Sequence, residues 1–148
     1  RRRRIGYEAA LAQHKLPVDP DLITSEDMNE PYGYSTTRRM LEASDSPTAL
    51  IYSSILSALG GLRAVNEMGL RPGQDVSLAT FDDRLSFLQT RDGNSQSSYF
   101  TSVHSSIQDA GRRVAEMLIS QIKDNNSAPK FELWKAQMDI GKTAGPAR

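Results

Sequence analysis

The sequence predicts an α/β fold, a parallel and doubly wound sheet flanked by helices. Residues 48–52 form the short apolar run typical of a buried parallel strand. Residues 55–68 then carry apolar side chains at helical spacing, and residues 76–81 read as a second strand. Two strands joined by one helix form a parallel crossover, and the alternation of helices and strands continues along the chain. Such alternation is typical of open α/β sheets.

The elements before this central unit are a helix, a short strand and a second helix. Residues 4–15 predict a helix that ends before Pro17, because proline cannot continue the hydrogen-bond ladder. Residues 22–24 predict a short strand, and residues 32–43 a second helix. The side chains expected to face the core in the first helix are Ile5, Ala9, Ala12 and Leu16, and in the second Tyr34, Thr37, Met40 and Leu41.

The central helix has clear start and stop signals. Ser53 and Ser54 stand where a hydroxyl can accept from first-turn amides, and Gly69 stands at the usual place of a left-handed cap. Gly60 and Gly61 are expected to permit close helix packing. The apolar face is expected to be Ile55, Leu59, Leu62, Val65 and Met68.

After the central unit the pattern predicts one loop, two strands, one helix and a tail. Residues 84–99 are polar and turn-rich, which predicts a surface loop. Residues 100–104 predict a strand, and residues 131–140 alternate in the manner of an edge strand with two unlike faces. Residues 141–146 are predicted to be a tail. The helix between the strands carries an apolar stripe of Ile107, Ala110, Gly111, Val114, Met117, Leu118 and Ile122.

Composition limits the class of protein. A chain of 148 residues has the length of one domain, and we treat residues 1–148 as a single domain. Its 18 basic and 18 acidic side chains cancel, so no global field favours nucleic acid or membrane. Cysteine is absent, which excludes disulfides and thiolate metal sites and fits a cytoplasmic protein. No apolar run is long enough to span a membrane.

Residues 47–83, PTALIYSSILSALGGLRAVNEMGLRPGQDVSLATFDD, resemble the effector-binding core of the lactose-repressor/galactose-repressor family of bacterial transcription regulators. The core of that family is periplasmic-binding-protein-like. The resemblance extends over nearly the whole chain. The further positions that carry it are Arg3, Gly6, Tyr7, Ala10, Leu11, Gly33, Tyr34, Thr101, Ser102, Val103, Gly111, Ala115 and Leu118.

The resemblance implies that the chain is one lobe of such a core and a fragment of a longer protein. The DNA-binding head and most of the first lobe would lie ahead of it, so operator DNA would be bound only through a helix-turn-helix domain absent here. It further implies a small sugar-like or nucleoside-like effector, a homodimer and no cofactor. The four arginines at the start then correspond to the first turn of an internal helix rather than to a nucleic-acid arm.

The candidate effector site lies where neighbouring strands end. Ser53 and Ser54 follow one strand and Asp82 and Asp83 the next, and open α/β sheets bind ligands at this edge. A carboxylate such as Asp82 can accept two hydroxyl hydrogen bonds from a sugar or ribose-like ligand. The alternative is a loop aspartate that caps local amides. The resemblance places an effector-binding aspartate at Asp82.

Four further effector contacts are implied by the resemblance. Arg3 matches an arginine that grips the effector, although it could equally be a solvated side chain of the basic run. Ser54 stands where the family often has asparagine, and a helix cap explains it without any ligand. Ile55 replaces a usual aspartate. Met28 and Ile107 take positions that often carry an aromatic ring.

The resemblance also implies a two-fold dimer contact. The helix over residues 55–68 and the segment after Asp83 would build it, with Leu56, Leu59, Arg63, Phe87 and Leu88 at the interface. The alternative for this helix is a solvated face with one stray leucine. The stripe on the helix over residues 107–122 would face water in a single lobe, so we expect a second copy to cover it or the helix to fold back on its own sheet.

Catalysis is disfavoured. His14 and His104 are the only histidines, and the serines beside His104 alternate to opposite faces of a strand rather than forming a triad. No metal-binding motif and no phosphate-binding glycine loop occurs. Two alternatives to a regulator core stay open: a solute-binding module of a transport system with the same fold, and an enzyme on this scaffold.

Overall fold

The predicted α/β fold is confirmed by the computed structural model, which describes residues 2–81, 89–92, 95–124 and 128–146. The elements in chain order are α1 (Arg2–Gln13), a 3-10 turn (Pro20–Leu22), α2 (Glu30–Glu42), β1 (Ala49–Tyr52), α3 (Ile55–Glu67), β2 (Ser77–Phe81), β3 (Gln89–Asp92), β4 (Ser95–Ser98), β5 (Thr101–His104), α4 (Ile107–Lys123) and β6 (Gln137–Asp139).

The main sheet has four strands in the order β1-β2-β5-β6. β1, β2 and β5 are parallel, with Ala49 opposite Ser77 and Ala79 opposite Thr101. β6 runs antiparallel to β5 at the edge, with His104 opposite Gln137. The expected edge position of the late strand is therefore confirmed, and the sheet is mostly parallel.

The two helices α2 and α3 pack closely because glycines stand at their contact. A Cβ built on Gly60 would lie 2.0 Å from the backbone oxygen of Glu30, and one on Gly33 would lie 2.1 Å from that of Ser57. No side chain fits at those distances. The expected role of the glycine pair in close helix packing is thus confirmed for Gly60. Gly61 instead leaves room for Tyr52, because a Cβ built on Gly61 would lie 2.0 Å from the Tyr52 hydroxyl.

The core lies on the side of the sheet that α2 and α3 cover. Leu50 and Tyr52 of β1 are buried, whereas Ile51 between them is 70% exposed. The Tyr52 hydroxyl shares a 2.7 Å hydrogen bond with Thr37 of α2. Burial raises the pKa of Tyr52 to about 12, and the bond to Thr37 opposes that rise. The core residues are Leu50, Tyr52, Ile55, Ala58, Val65, Val76, Leu78 and Phe100.

Two predictions near the amino end are wrong. Ile5, Ala9, Ala12 and Leu16 do not face a core, because all four are exposed and α1 has no buried residue. Residues 22–24 are not a strand. Pro20 instead opens a 3-10 turn, which the Asp19 carboxylate caps by accepting from the Asp21 amide at 2.9 Å. Apolar spacing identifies the side of an element but not whether another surface meets it.

The predicted loop over residues 84–99 contains an antiparallel hairpin. β3 pairs with β4 from Gln89 opposite Ser98 to Asp92 opposite Ser95. The sequence between these strands is Gly93-Asn94, a composition typical of two-residue hairpin connections. The polar composition concealed the strands because neither has an apolar face to produce alternation.

Residues 141–146 are not a tail. Thr143 is fully buried, and its carbonyl accepts from the Leu78 amide at 2.7 Å. Its hydroxyl donates to the Leu78 carbonyl at 2.6 Å and accepts from the Thr101 amide at 3.1 Å. The segment therefore ties β2 to β5 at their amino ends, a role that small polar residues do not reveal in a sequence.

α4 is a regular helix with an unburied apolar stripe. Ser106 caps it by accepting from the Asp109 amide at 3.1 Å. Ile107, Val114, Leu118 and Ile122 are each more than half exposed, so the expectation that the helix folds back on its own sheet is wrong. Coverage by a second copy stays a prediction.

The segment before β6 lies along α4 rather than in the sheet. Arg113 of α4 binds the Glu132 carboxylate at 2.8 and 3.0 Å, and this contact lowers the pKa of Glu132. Residues 131–136 therefore form no strand, and only Gln137–Asp139 of the predicted strand pairs with β5. Phe131 and Leu133 of this segment are exposed.

Candidate functional site

The candidate site lies at the carboxyl ends of β1 and β2. Ser54 follows β1 and caps α3, because its hydroxyl oxygen accepts from the Leu56 amide at 3.2 Å. Ile55 next to it is buried in the core. The junction between β1 and α3 thus presents no carboxylate, and the Ser54 hydroxyl already has a structural partner.

Arg3 reaches this junction from the first turn of α1. Its guanidinium donates to the Ser53 carbonyl, and its central carbon lies 3.7 Å from the centroid of the Phe81 ring. A cation above an aromatic face is attracted by the quadrupole of the ring. The structure therefore brings Arg3 to the ends of both strands, as expected of a side chain that lines this edge of the sheet.

The other predicted effector residues are less closely gathered. Asp82 lies outside the described residues, directly after Phe81. Met28 precedes α2 and Ile107 begins α4, and both side chains are more than half exposed. Their exposure leaves both side chains available to a ligand or a partner.

Sequence reasoning did not single out Phe81 as a site residue. The sequence pattern places Phe81 in the second predicted strand and indicates nothing more, whereas the structure places its ring beneath the Arg3 guanidinium. The signal that could have found it is an aromatic residue at the last position of a strand, directly before an aspartate at the ligand-binding edge.

The predicted dimer residues fall into three environments. Leu56 is 52% exposed on α3, as expected, whereas Leu59 packs against the core. Arg63 binds Glu30 at 2.8 Å and lies 3.9 Å from the Tyr34 ring centroid. Phe87 and Leu88 lie outside the described residues.

A cluster of polar side chains that was also not predicted links β4, β5 and β6 through Ser98, His104 and Asp139. His104 is 7% exposed, and its Nδ1 lies 3.7 Å from the Asp139 carboxylate. Asp139 also accepts from the Ser98 hydroxyl at 2.9 Å. A catalytic serine is hydrogen-bonded to the imidazole of a histidine, whereas the Ser98 hydroxyl donates to the Asp139 carboxylate. Ser98 is therefore not a nucleophile activated by His104.

No other chemistry emerges from the part of the chain that the structure describes. Three or more potential metal ligands are nowhere grouped among residues 2–81, 89–92, 95–124 and 128–146. Within the same ranges, each helix is too short or too polar to cross a membrane.

Comparison with known proteins places these features in a family. The model of the periplasmic binding protein-like domain matches residues 1–143. The HTH-type transcriptional regulator AglR of Rhizobium meliloti (strain 1021) is 38% identical over 146 residues, 99% of this chain and 40% of that protein. The HTH-type transcriptional repressor PurR of Haemophilus influenzae (strain PittEE) is 29% identical over 117 residues, 79% of this chain and 33% of that protein.

Solved structures agree with this placement. A regulatory protein of the LacI family from Chloroflexus aggregans superposes with a TM-score of 0.79 at 25% identity, covering 95% of this chain and 48% of that one. The chain thus spans about two fifths of the length of AglR and about half of this structure. It belongs to the periplasmic binding protein-like domain family and is homologous there to regulators of the lactose-repressor type.

Proposed function

We propose that this chain is the effector-binding lobe of a cytoplasmic transcription regulator of the lactose-repressor type, and not an enzyme. The observation that carries the proposal is its 38% identity to the regulator AglR over 99% of the chain. The regulator would couple a small sugar-like or nucleoside-like effector to operator DNA through a helix-turn-helix domain outside this chain. The alternative, a solute-binding module of a transport system, shares the fold but not the regulator identity of the named relatives.

Arg3 and Phe81 are the described side chains that support a ligand site. A guanidinium has five N–H donors, and the Ser53 carbonyl uses part of that capacity. The remaining donors suit hydroxyl or carbonyl oxygens of a ligand, and the nearby Phe81 ring suits its apolar face. Asp82 would add the acceptor that a polyol or ribose requires. Ser54 would contribute less, because its hydroxyl already caps α3.

α4 and the segment before β6 support a second lobe. Ile107, Val114 and Leu118 are exposed on one side of α4, while Arg113 binds Glu132 of the segment before β6. Exposed apolar stripes of this length usually mark a contact surface. We therefore propose that this unit packs against the other lobe of the same core, with the effector in the cleft between the lobes.

The mechanism that follows is a population shift. An effector that binds one lobe arrangement more tightly favours it, and the differential affinity sets the size of the shift. A dimer built around α3 would pass the preference to the DNA-binding heads. Leu56 is the exposed apolar member of the proposed contact on α3.

Thermal unfolding of this chain with candidate ligands tests the effector site. Neutral mono- and disaccharides and nucleosides, each at millimolar concentration, would be compared. A ligand that binds only the folded state at about 100 times its Kd stabilises by roughly 2.7 kcal/mol. We expect one of the two classes to raise the Tm and Arg3→Ala to remove most of that rise.

Arg71→Ala is the matched control, because Arg71 is also exposed and binds Asp75 within its own turn at 2.8 Å. It should leave the ligand-induced rise unchanged. A rise that survives Arg3→Ala, or no rise with either class of ligand, would contradict the proposed site.

A further inference from the structure

The guanidinium of Arg3 is held from two directions at the carboxyl ends of β1 and β2. It donates from Nη1 to the carbonyl of Ser53, the residue that follows β1. Its central carbon also lies 3.7 Å from the ring centroid of Phe81, the last residue of β2. A free arginine side chain samples many rotamers, and ordering it costs conformational entropy. The two contacts therefore restrict the guanidinium before any ligand is present.

These two contacts do not neutralise the charge of Arg3. Within the described part of the chain, its partners are an uncharged carbonyl and an uncharged ring. The next arginine along the helix, Arg4, is instead paired with the Glu8 carboxylate at 2.7 Å. A ring attracts a cation through its quadrupole rather than through one of the five N–H donors of the guanidinium. Phe81 can thus fix the side chain without using the groups that would bind a ligand.

The position of Phe81 beneath Arg3 decides how the ring can act on a ligand. The ring face that the guanidinium covers is closed to other molecules, and the side chain is only partly exposed. The covered face therefore acts through Arg3 rather than by touching a ligand itself. Because Arg3 stands in the first turn of α1, which has no buried residue, the same contact also restrains the start of this helix.

We infer that Phe81 is the positioning residue of Arg3. The ring and the Ser53 carbonyl hold the guanidinium at the edge of the sheet, where its charge and its remaining N–H donors are available to acceptor oxygens of a ligand. Replacing the ring would remove this support while every polar group that would bind the ligand is retained. Only the use of Arg3 by an effector rests on the proposed function.

Nuclear magnetic resonance of the arginine side chains in the 148-residue chain tests this inference without a ligand. Protons above an aromatic ring shift upfield, so the δ-methylene and Nε–H signals of Arg3, identified by their absence in Arg3→Ala, should be shifted upfield. The order parameter of the Arg3 Nε–H should exceed about 0.6, the value below which such groups are flexible. Phe81→Leu should abolish the shift and lower the order parameter below that value. Phe81→Tyr, which keeps the ring, should preserve both.

Arg4 is the matched control, because it lies next to Arg3 on α1 and its partner Glu8 belongs to the same helix. Its signals and its order parameter should not change in Phe81→Leu. Arg3 signals without an upfield shift in the wild type, a result that needs no variant to fold, would overturn the inference. An Arg3 order parameter that Phe81→Leu leaves unchanged would overturn it as well. Both outcomes leave the proposed function intact.

The thermal assay separates the positioning role from the proposed function. With a ligand that raises the Tm, Phe81→Leu should remove at least about half of the rise, and Phe81→Tyr should keep it. An undiminished rise in Phe81→Leu would overturn the positioning role. Arg3 signals that behave as expected, together with no rise from either class of ligand, would contradict the proposed function alone.

Discussion

At the scale of single residues, buried hydroxyl groups connect secondary-structure elements of this chain by hydrogen bonds. Thr143 connects two strands through both its backbone and its side chain. Thr37 and Tyr52 share a hydrogen bond between α2 and the sheet. Each of these groups is buried, so each would leave an unsatisfied partner in a low-dielectric interior if it were removed.

Thr143→Val should destabilise the fold. The substitution keeps the shape of the side chain but leaves the Leu78 carbonyl without its hydroxyl donor and the Thr101 amide without its acceptor. We expect the free energy of unfolding to fall by roughly 2–4 kcal/mol, measured by urea denaturation. Thr143→Ser, which keeps the hydroxyl, should lose less than half as much. Equal losses would show that the methyl group, and not the hydroxyl, matters.

Tyr52 should make the fold sensitive to alkaline pH. Its pKa is raised to about 12 in the folded protein and is near 10.0 when unperturbed. Between pH 10 and 12 the unfolded chain loses this proton while the folded protein keeps it, so stability falls as pH rises. We expect a loss of roughly 2–3 kcal/mol across this window.

Tyr52→Phe isolates that contribution. The variant should be less stable at pH 8, because Thr37 loses its partner, yet its stability should fall less between pH 10 and 12. Parallel curves of unfolding free energy against pH in both proteins would refute the role of Tyr52.

At the scale of elements, the α2–α3 contact is close because glycines stand at it. Gly33 and Gly60 allow backbone to meet backbone, so at these two points no side chain between the helices could move aside. On the exposed side Arg63 bridges the same two helices through Glu30. Surface ion pairs of this kind contribute little to the free energy of unfolding. The glycines and the core behind them therefore determine the stability of the α2–α3 contact.

Gly60→Ala should therefore prevent normal packing. The new methyl group would lie 2.0 Å from the Glu30 carbonyl oxygen, where no rotation relieves the clash. We expect a loss of about 3 kcal/mol or more in chemical unfolding. Gly111→Ala on α4 is the control, since open space surrounds that position and alanine favours a helix by about 1 kcal/mol. Similar effects of the two substitutions would contradict the packing argument.

The elements also show what the sequence could and could not reveal. The β1–α3–β2 unit was predictable because apolar period, cap serine and Gly69 all agree, and Gly69 has the expected positive φ of 72°. The hairpin and the Thr143 segment were not, because polar strands and single hydroxyl bridges leave no periodic trace. In the candidate site, the position of Arg3 was predictable through the resemblance. The contact between Arg3 and the Phe81 ring was not.

At the scale of the whole molecule, two of the exposed apolar surfaces have different proposed partners. One is Leu56 on α3, which the proposed dimer uses. The other is the stripe on α4, which the proposed second lobe would cover. The two surfaces belong to different elements, so a single substitution in each can separate their roles.

Leu56→Asp should weaken self-association of the chain, because a charge would enter the centre of the proposed interface. Light scattering over a concentration series should show that the dissociation constant of the dimer rises by at least about tenfold. Leu118→Asp is the matched comparison, because Leu118 on α4 is 59% exposed and Leu56 is 52% exposed. Dissociation by Leu118→Asp alone would move the dimer contact to α4 and remove α3 from it.

The edge pairing of β5 and β6 brings together the two ends of the segment that contains α4. His104 and Gln137 are direct neighbours across the two strands, although residues 105–136 separate them along the chain. A two-residue Asn-Gly turn spans such a pair in an ordinary hairpin. Replacing residues 105–136 by that turn would remove the α4 stripe together with Ile107, at the carboxyl edge of the parallel strands where Arg3 also lies. α4 and the segment that follows it are thus an insertion between two strands that already pair with each other.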